Sequence, residues 1–248
     1  MSTIYIMWLR QLKRSVRSRA RMLGSLGQPL LFLVALGFGF GPIYTKAGGG
    51  NYIQFIVPGI IAMGILFTAM FAGIELIWDR QFGFLKETLV APVPRIHIML
   101  GRTLGGATVA TVQGLLVFFM TLFFGFRPES WLLAPVALVF MFLIAVLFTA
   151  LGTAIASQMQ DMQAFPIIMN FLIMPVFFLS GALFPLQGLP KAIVAIASID
   201  PLSYGVDGLR ASLVGSAHFG FGADFLALGA GVVLLLSLGA WLFSRIEL

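Results

Sequence analysis

The chain has 248 residues, 60% of them hydrophobic and only 10% charged, with a mean hydropathy of +1.03. A soluble domain carries roughly 25% charged residues, and one water-soluble core cannot hide this much apolar surface under a polar exterior, so composition excludes a soluble protein and requires an integral membrane one. The net charge of +6 could point to nucleic acid, but the basic residues flank apolar runs, where membrane topology accounts for them more simply.

The first 22 residues read as an amphipathic helix lying on anionic lipid headgroups. On a helical wheel Ile4, Trp8, Leu12, Val16 and Ala20 fall on one side, and Arg10, Arg14, Arg17 and Arg21 on the other. A signal peptide is disfavoured: the basic stretch is too long for one, and five further apolar segments follow the first. No aromatic platform supports nucleic-acid binding.

About 20 apolar residues cross the hydrocarbon as a helix, and six such segments are predicted: 24–44, 53–77, 98–126, 131–156, 164–184 and 223–243. They lack the alternation a membrane barrel needs. Pro58 and Pro135 sit near helix starts, whereas Pro175 lies deep in the fifth segment and predicts a kink. With the N-terminus inside, eleven of the fifteen Lys and Arg residues fall on the cytoplasmic side: Arg10, Lys13, Arg14, Arg17, Arg19, Arg21, Arg80, Lys86, Arg95, Arg102 and Arg245. Lys46, Arg127, Lys191 and Arg210 are left outside. The bias predicts cytoplasmic termini and a cytoplasmic loop at 79–95.

Gly106, Ala110 and Gly114 form a small-residue groove along the third segment, read as packing within the subunit, with a dimer seam as the alternative. Gln113 and Asn170 are polar residues inside the third and fifth segments; interhelical hydrogen bonds are the first reading and contacts along a substrate path the second. No charge lies at mid-depth to serve as a proton relay and no inverted repeat is evident, which disfavours a stand-alone channel or secondary carrier. Ser180-Gly181 is the nearest approach to a nucleophile motif, but no histidine lies in a span to activate it. His97 and His218 are far apart in sequence and read as solvated rather than as a metal pair, and zero cysteines exclude disulfides and thiolate metal sites.

Two polar islands remain. Residues 79–95, DRQFGFLKETLVAPVPR, predict a short surface helix: Asp79 is placed to cap it, Phe82, Leu85 and Leu89 form its apolar stripe, and Pro92 and Pro94 end it. Residues 185–214 hold two short amphipathic runs that begin at prolines, one with Ile193, Ile196 and Ala197 and one with Tyr204 and Leu209. They are too short and too charged to span, so they dip into the outer leaflet or cap it. Asp207 and Arg210, three apart, are predicted to pair across a helical turn.

The string from Asp79 to Arg95, followed by Gly101-Arg102, resembles the cytoplasmic loop of permease subunits of type 2 ATP-binding-cassette exporters, multidrug and antibiotic-resistance members among them. The family's acidic-Arg pair, glycine, Leu-rich turn and Pro-x-x-Arg exit fall on Asp79, Arg80, Gly83, Leu85, Leu89, Pro92 and Arg95. Phe84 and Lys86 depart from the Thr and Glu that many members carry. The loop before the last span is similar too, its Pro-Leu-x-Tyr-x-x-Asp-x-x-Arg element falling on Pro201, Leu202, Tyr204, Asp207 and Arg210. The likeness covers essentially the whole chain.

The resemblance implies a single all-α integral membrane domain, 1–248. It has six transmembrane helices, an N-terminal interfacial amphipathic helix (1–22), a cytoplasmic coupling helix in 79–95 and an extracytoplasmic re-entrant pair acting as a gate (185–222), for which a static structural plug is the equal alternative. Asp79, Arg80, Gly83, Phe84, Leu85, Lys86, Glu87, Leu89, Pro92 and Arg95 would then couple to an ATPase. The chain has no G-x-x-x-x-G-K-[ST] loop, so ATP and Mg would sit on a separate nucleotide-binding subunit, this chain binding no cofactor and catalysing nothing itself. Two permease copies and two ATPases are implied, homodimeric or heterodimeric in the permease, in the inner membrane, with the substrate path between the permeases. ATPase closure would push the 79–95 helices and tilt spans one, two and five. The 25 Phe against four Trp and four Tyr favour a hydrophobic drug-like or lipid-like passenger over a saccharide, though phenylalanines also face lipid and nodulation-factor and polysaccharide exporters remain in view.

Overall fold

The computed structural model describes residues 2–46 and 50–245, and the side chains of Arg19, Arg21 and Leu89 lie outside that description. Among the described residues there are helices and turns and no strand. The elements run α1 (Thr3–Arg17), α2 (Arg19–Gly24), α3 (Gly27–Lys46), α4 (Tyr52–Phe71), α5 (Ile74–Gln81), α6 (Phe84–Val90), α7 (Arg95–Phe123), a 3-10 turn (Trp131–Leu133), α8 (Ala134–Gln158), α9 (Ala164–Leu179), α10 (Lys191–Ile199), α11 (Pro201–Val214) and α12 (Phe221–Ser244).

Among the described residues, five stretches are long and apolar enough to cross a membrane: Met22–Lys46, Tyr52–Gln81, Arg95–Phe123, Trp131–Gln158 and Phe221–Ser244. The predicted fifth span, 164–184, is shorter than expected. Its helix α9 stops at Leu179, after about 24 Å at 1.5 Å per residue, against a hydrocarbon core of about 30 Å. The chain leaves α9 at Ser180, whose hydroxyl bonds back to the Phe177 carbonyl, and turns at Gly181, where φ is +72°. The two short runs beyond it are α10 and α11, which meet at 89°. Asp200 caps α11 through the Leu202 amide (2.9 Å) and Pro201 opens it.

α4 is the central helix because it is apolar all round: Ile56 through Leu66 is buried without interruption. It packs on α3, α7, α8 and α11. The small-residue groove on α7 is filled from within the chain. A Cβ at Gly106 would lie 2.7 Å from a Thr149 side-chain carbon on α8, and one at Gly114 would lie 2.6 Å from Ile65 on α4. The groove is therefore internal packing, not a dimer seam. α3, α9 and α12 keep their outward faces, with Phe38, Phe171 and Leu234 exposed.

The N-terminal helix departs from the predicted wheel. It breaks at Ser18, and Val16 and Ala20 are exposed. Its buried residues are Met7 and Gln11, which press onto the glycines of α7: a Cβ at Gly101 would meet Met7 at 2.7 Å, and one at Gly105 would meet Gln11 at 2.6 Å. Trp8 donates its indole N–H to Thr108 on the same helix (3.1 Å). Two glycines one turn apart on α7 admit α1 at backbone distance and so rotate it away from the position its own hydropathy favours.

Side-chain ties sort the connections into two ends. At one end Arg80 reaches the Met159 carbonyl (3.1 Å), Gln81 the Gln160 carbonyl (3.2 Å) and Arg95 the Ser244 carbonyl (2.8 Å). This end gathers α1, the 79–95 loop, the α8–α9 turn and the C-terminal helix. At the other end Tyr52 reaches the Leu183 carbonyl (3.1 Å) and the Glu129 amide reaches Leu213 (2.9 Å).

Candidate functional site

At the first end, Asp79 is the hub. It lies in the last turn of α5, buried, and does not cap the helix that follows. Arg10 of α1 donates to both of its oxygens at 2.9 Å, Arg102 of α7 donates to Oδ2, and Arg14 stands 3.6 Å from Oδ1 and 3.8 Å from Glu75. A carboxylate buried among three guanidiniums is compensated, whereas any one of these charges left alone would be costly. The cluster binds the mouth of the second span to the N-terminal helix and to the third span.

The helix at 84–90 starts without a side-chain cap. Gly83 holds φ +81°, a left-handed turn that swings α6 off the end of α5. This turn splits the predicted apolar stripe: Phe82, on the α5 side, is 79% exposed, while Leu85 is 1% exposed in the core. Leu89's side chain is not described. Phe84 lies under the Arg10 guanidinium, 3.7 Å from ring centroid to Cζ. Lys86, Glu87, Val90 and Pro92 face outward, and the helix ends at Ala91 in extended backbone before Pro92 and Pro94. Arg80 and Arg95 turn inward to backbone carbonyls as given above.

α6 is therefore a short helix with a rooted face and a presented face. Leu85 and Phe84 attach it to the body, and Asp79 attaches the turn behind it to α1 and α7. Phe82, Lys86, Glu87 and Val90 form a mixed charged and apolar surface with no partner in the described chain.

At the opposite end the predicted Asp207–Arg210 pair is not formed. Asp207 accepts the His218 amide at both oxygens (2.8 Å each) and the Phe219 amide at Oδ2 (2.7 Å), pinning the α11–α12 loop. Arg210 instead donates to the Gly181 carbonyl (3.0 Å) and covers the Phe55 ring at 4.3 Å, joining α11 to the end of α9 and to α4. One turn of helix gave both residues the reach to pair, but the backbone groups of neighbouring loops compete better. Tyr204 donates to Ser198 (2.7 Å) and packs on Phe219, with ring centroids 4.7 Å apart. Pro201, partly buried, begins the helix that carries all three. Ile196 is half exposed while its neighbour Ala197 is buried, so the predicted stripe on α10 does not share one face.

The two polar residues proposed along a substrate path are not brought together. Gln113 is buried and its amide nitrogen has no partner. Asn170 is exposed on α9, beside Ile167 and Phe171. Gln113 borders a cavity of about 490 Å³ between α1, α2, α3, α4, α5 and α7; Asn170 does not.

Sequence reasoning missed the parts played by Arg10 and Arg102. Arg102 was counted as a cytoplasmic charge, yet it is 3% exposed inside the packed body. The available signal was an arginine seven residues into an apolar helix, which must have an acidic partner. Asp224 was missed likewise: it is wholly buried in the first turn of α12, with neither carboxylate oxygen hydrogen-bonded.

Comparison with known proteins places this architecture. The profile of the family described as ABC-2 type transporter matches residues 2–214. The chain is 30% identical over 198 residues to nodulation protein J of Rhizobium leguminosarum bv. trifolii, covering 79% of this chain and 75% of that one. It is 30% identical over 246 residues to the putative transport permease ycf38 of Pyropia yezoensis, covering 93% and 83%. It is 29% identical over 187 residues to the inner membrane transport permease YadH of Escherichia coli K12, covering 75% and 72%. With its apolar helices and its match running from α1 through α11, the chain is a multi-pass membrane protein and belongs to the ABC-2 type transporter family of permeases.

Proposed function

We propose that this chain is the permease subunit of an ATP-driven exporter and that α6 takes up force from a separate ATPase subunit. The observation that carries the reading is the two-sided character of α6. Its inner face is fastened through Leu85, Phe84 and the Asp79 cluster to α1, α5 and α7. Its outer face offers Lys86, Glu87 and Val90, with Phe82 exposed on the turn before it. A lever needs both: an exposed surface to be pushed and a stiff attachment to what must move.

By the tally of Lys and Arg, the end bearing α6 faces the cytoplasm, and both termini with it. The opposite end, with α10 and α11, then forms the outer gate, hinged on Arg210 and on the loop held by Asp207. Two permease copies and two ATPases make up the assembly, with ATP and Mg on the ATPase and the membrane an inner membrane. The passenger is a hydrophobic drug-like or lipid-like molecule; a polysaccharide or lipo-oligosaccharide is the alternative.

The test is co-purification of the chain with its nucleotide-binding subunit, followed by ATP hydrolysis in proteoliposomes. Lys86→Glu with Glu87→Lys should abolish binding of the ATPase while leaving the permease folded. Full ATPase binding and unchanged hydrolysis in that variant would remove α6 from the mechanism. Export assays with drug-like, lipid and oligosaccharide cargoes then separate the passenger classes.

A further inference from the structure

The 490 Å³ cavity beside Gln113 is of the size and character of a ligand pocket. Along the second span it extends from Met63 to Trp78, about 22 Å of helix, from the middle of the body to the Asp79 end. Phe67 and Phe71 form one wall with rings parallel to within 7° and centroids 6.5 Å apart, and Val109 faces them from α7. Two buried amide atoms on its border lack partners, a donor at Gln113 (Nε2) and an acceptor at Gln11 (Oε1). Buried polar atoms are normally satisfied, and each orphan carries a cost that a bound group would relieve.

Glu75 is the single ionisable residue among the described lining residues, and Arg14 stands 3.8 Å from it. The cavity therefore offers no uncompensated charge, and an ionic head drawn inside would lose its hydration without gaining a counter-ion. Largely apolar walls with one buried unpartnered donor and one such acceptor describe a different guest.

We infer that this cavity binds an uncharged amphiphile, its apolar body along Phe67 and Phe71 and an oxygen accepting from the Gln113 amide. The occupant is a neutral lipid-like or drug-like molecule admitted beside α1 from the cytoplasmic leaflet. As the passenger's holding site it rests on the exporter reading, but occupancy itself does not depend on an ATPase.

The experiment uses the full chain in phosphatidylcholine nanodiscs and three diazirine probes of one chain length: dodecanol, dodecanoate and dodecylammonium. Photolabelling followed by peptide mass spectrometry reads where each one sits. The alcohol should label peptides containing Phe67–Trp78 and Val109 saturably, and the two ions much less. Gln113→Leu should weaken labelling by about fivefold, the loss of one hydrogen bond. Val109→Trp should abolish it by filling the space. Equal labelling by all three probes, or indifference to both variants, overturns the proposal even if the ATPase still binds α6. Repeating the alcohol labelling on the complex trapped with vanadate distinguishes the sources: loss of label marks a passenger and retention marks a resident bilayer lipid, both with the site occupied as inferred.

Discussion

Arg10 of the first helix holds both carboxylate oxygens of Asp79, sixty-nine residues further on, through two hydrogen bonds of 2.9 Å. This fork-to-fork pairing is rigid where a single contact would pivot. With Arg102 bonded to the same carboxylate from α7, the turn behind α6 cannot shift without carrying the N-terminal helix and the third span along. That coupling ties the turn behind α6 firmly to the body.

Asp79→Asn should be strongly destabilising, because it leaves buried Arg102 without its hydrogen-bonded counter-charge; breaking a buried pair costs roughly 3–5 kcal/mol. Thermal unfolding in detergent measures it. Asp79→Asn with Arg102→Gln should cost less than the two single changes added together, and strict additivity would show that the pair is not coupled.

Gly83→Ala tests the turn. A Cβ there meets nothing within 4 Å, so the penalty is conformational alone, about 1–2 kcal/mol for an L-residue at this φ. Stability should fall modestly and ATPase stimulation should fall more, since α6 would be re-aimed. Asn, which tolerates left-handed backbone, should restore much of the function.

Phe82→Ala should leave the melting temperature unchanged, because the ring is exposed, and should weaken ATPase association in a pull-down. Leu85→Ala gives the opposite pattern: a buried leucine truncated costs about 2–5 kcal/mol. If both variants lose stability alike, the division of this loop into a presented Phe82 and a rooted Leu85 is wrong.

Gly105→Leu should detach the N-terminal helix, because even a Cβ would sit 2.6 Å from Gln11. Limited proteolysis within residues 3–17 reads the release, and cleavage no faster than in the parent would contradict the packing. The same variant separates Arg10 from Asp79 and so should also lower ATPase stimulation.

The chain has no cysteine, so single substitutions report topology directly. Lys86→Cys should react with a membrane-impermeant maleimide only in inside-out vesicles, and Lys191→Cys only in right-side-out ones. Labelling of both from one side would overturn the orientation drawn from the Lys and Arg count.

Most of the fold was legible residue by residue. Helices of 20 and more apolar residues announce themselves by summed transfer energy, and Pro92, Pro94 and Pro201 punctuate the chain where their missing N–H and fixed φ require it. The two ends with their unequal Lys and Arg were readable for the same reason. What each polar residue touches was not. Asp79 looked like a helix cap, and Asp207 like a partner for Arg210, because local spacing allowed both.

The tertiary structure decided otherwise. Gly101 and Gly105 let α1 approach until Arg10 met Asp79, and a left-handed residue at Gly83 sent Phe82 and Leu85 to opposite sides. The amino-acid sequence by itself determined that this chain lives in a bilayer, where its long apolar helices lie and which end carries the charge, since each follows from sums over neighbouring residues. Only packing decided which charges are buried together, because that depends on how far helices distant in the chain rotate about their own axes.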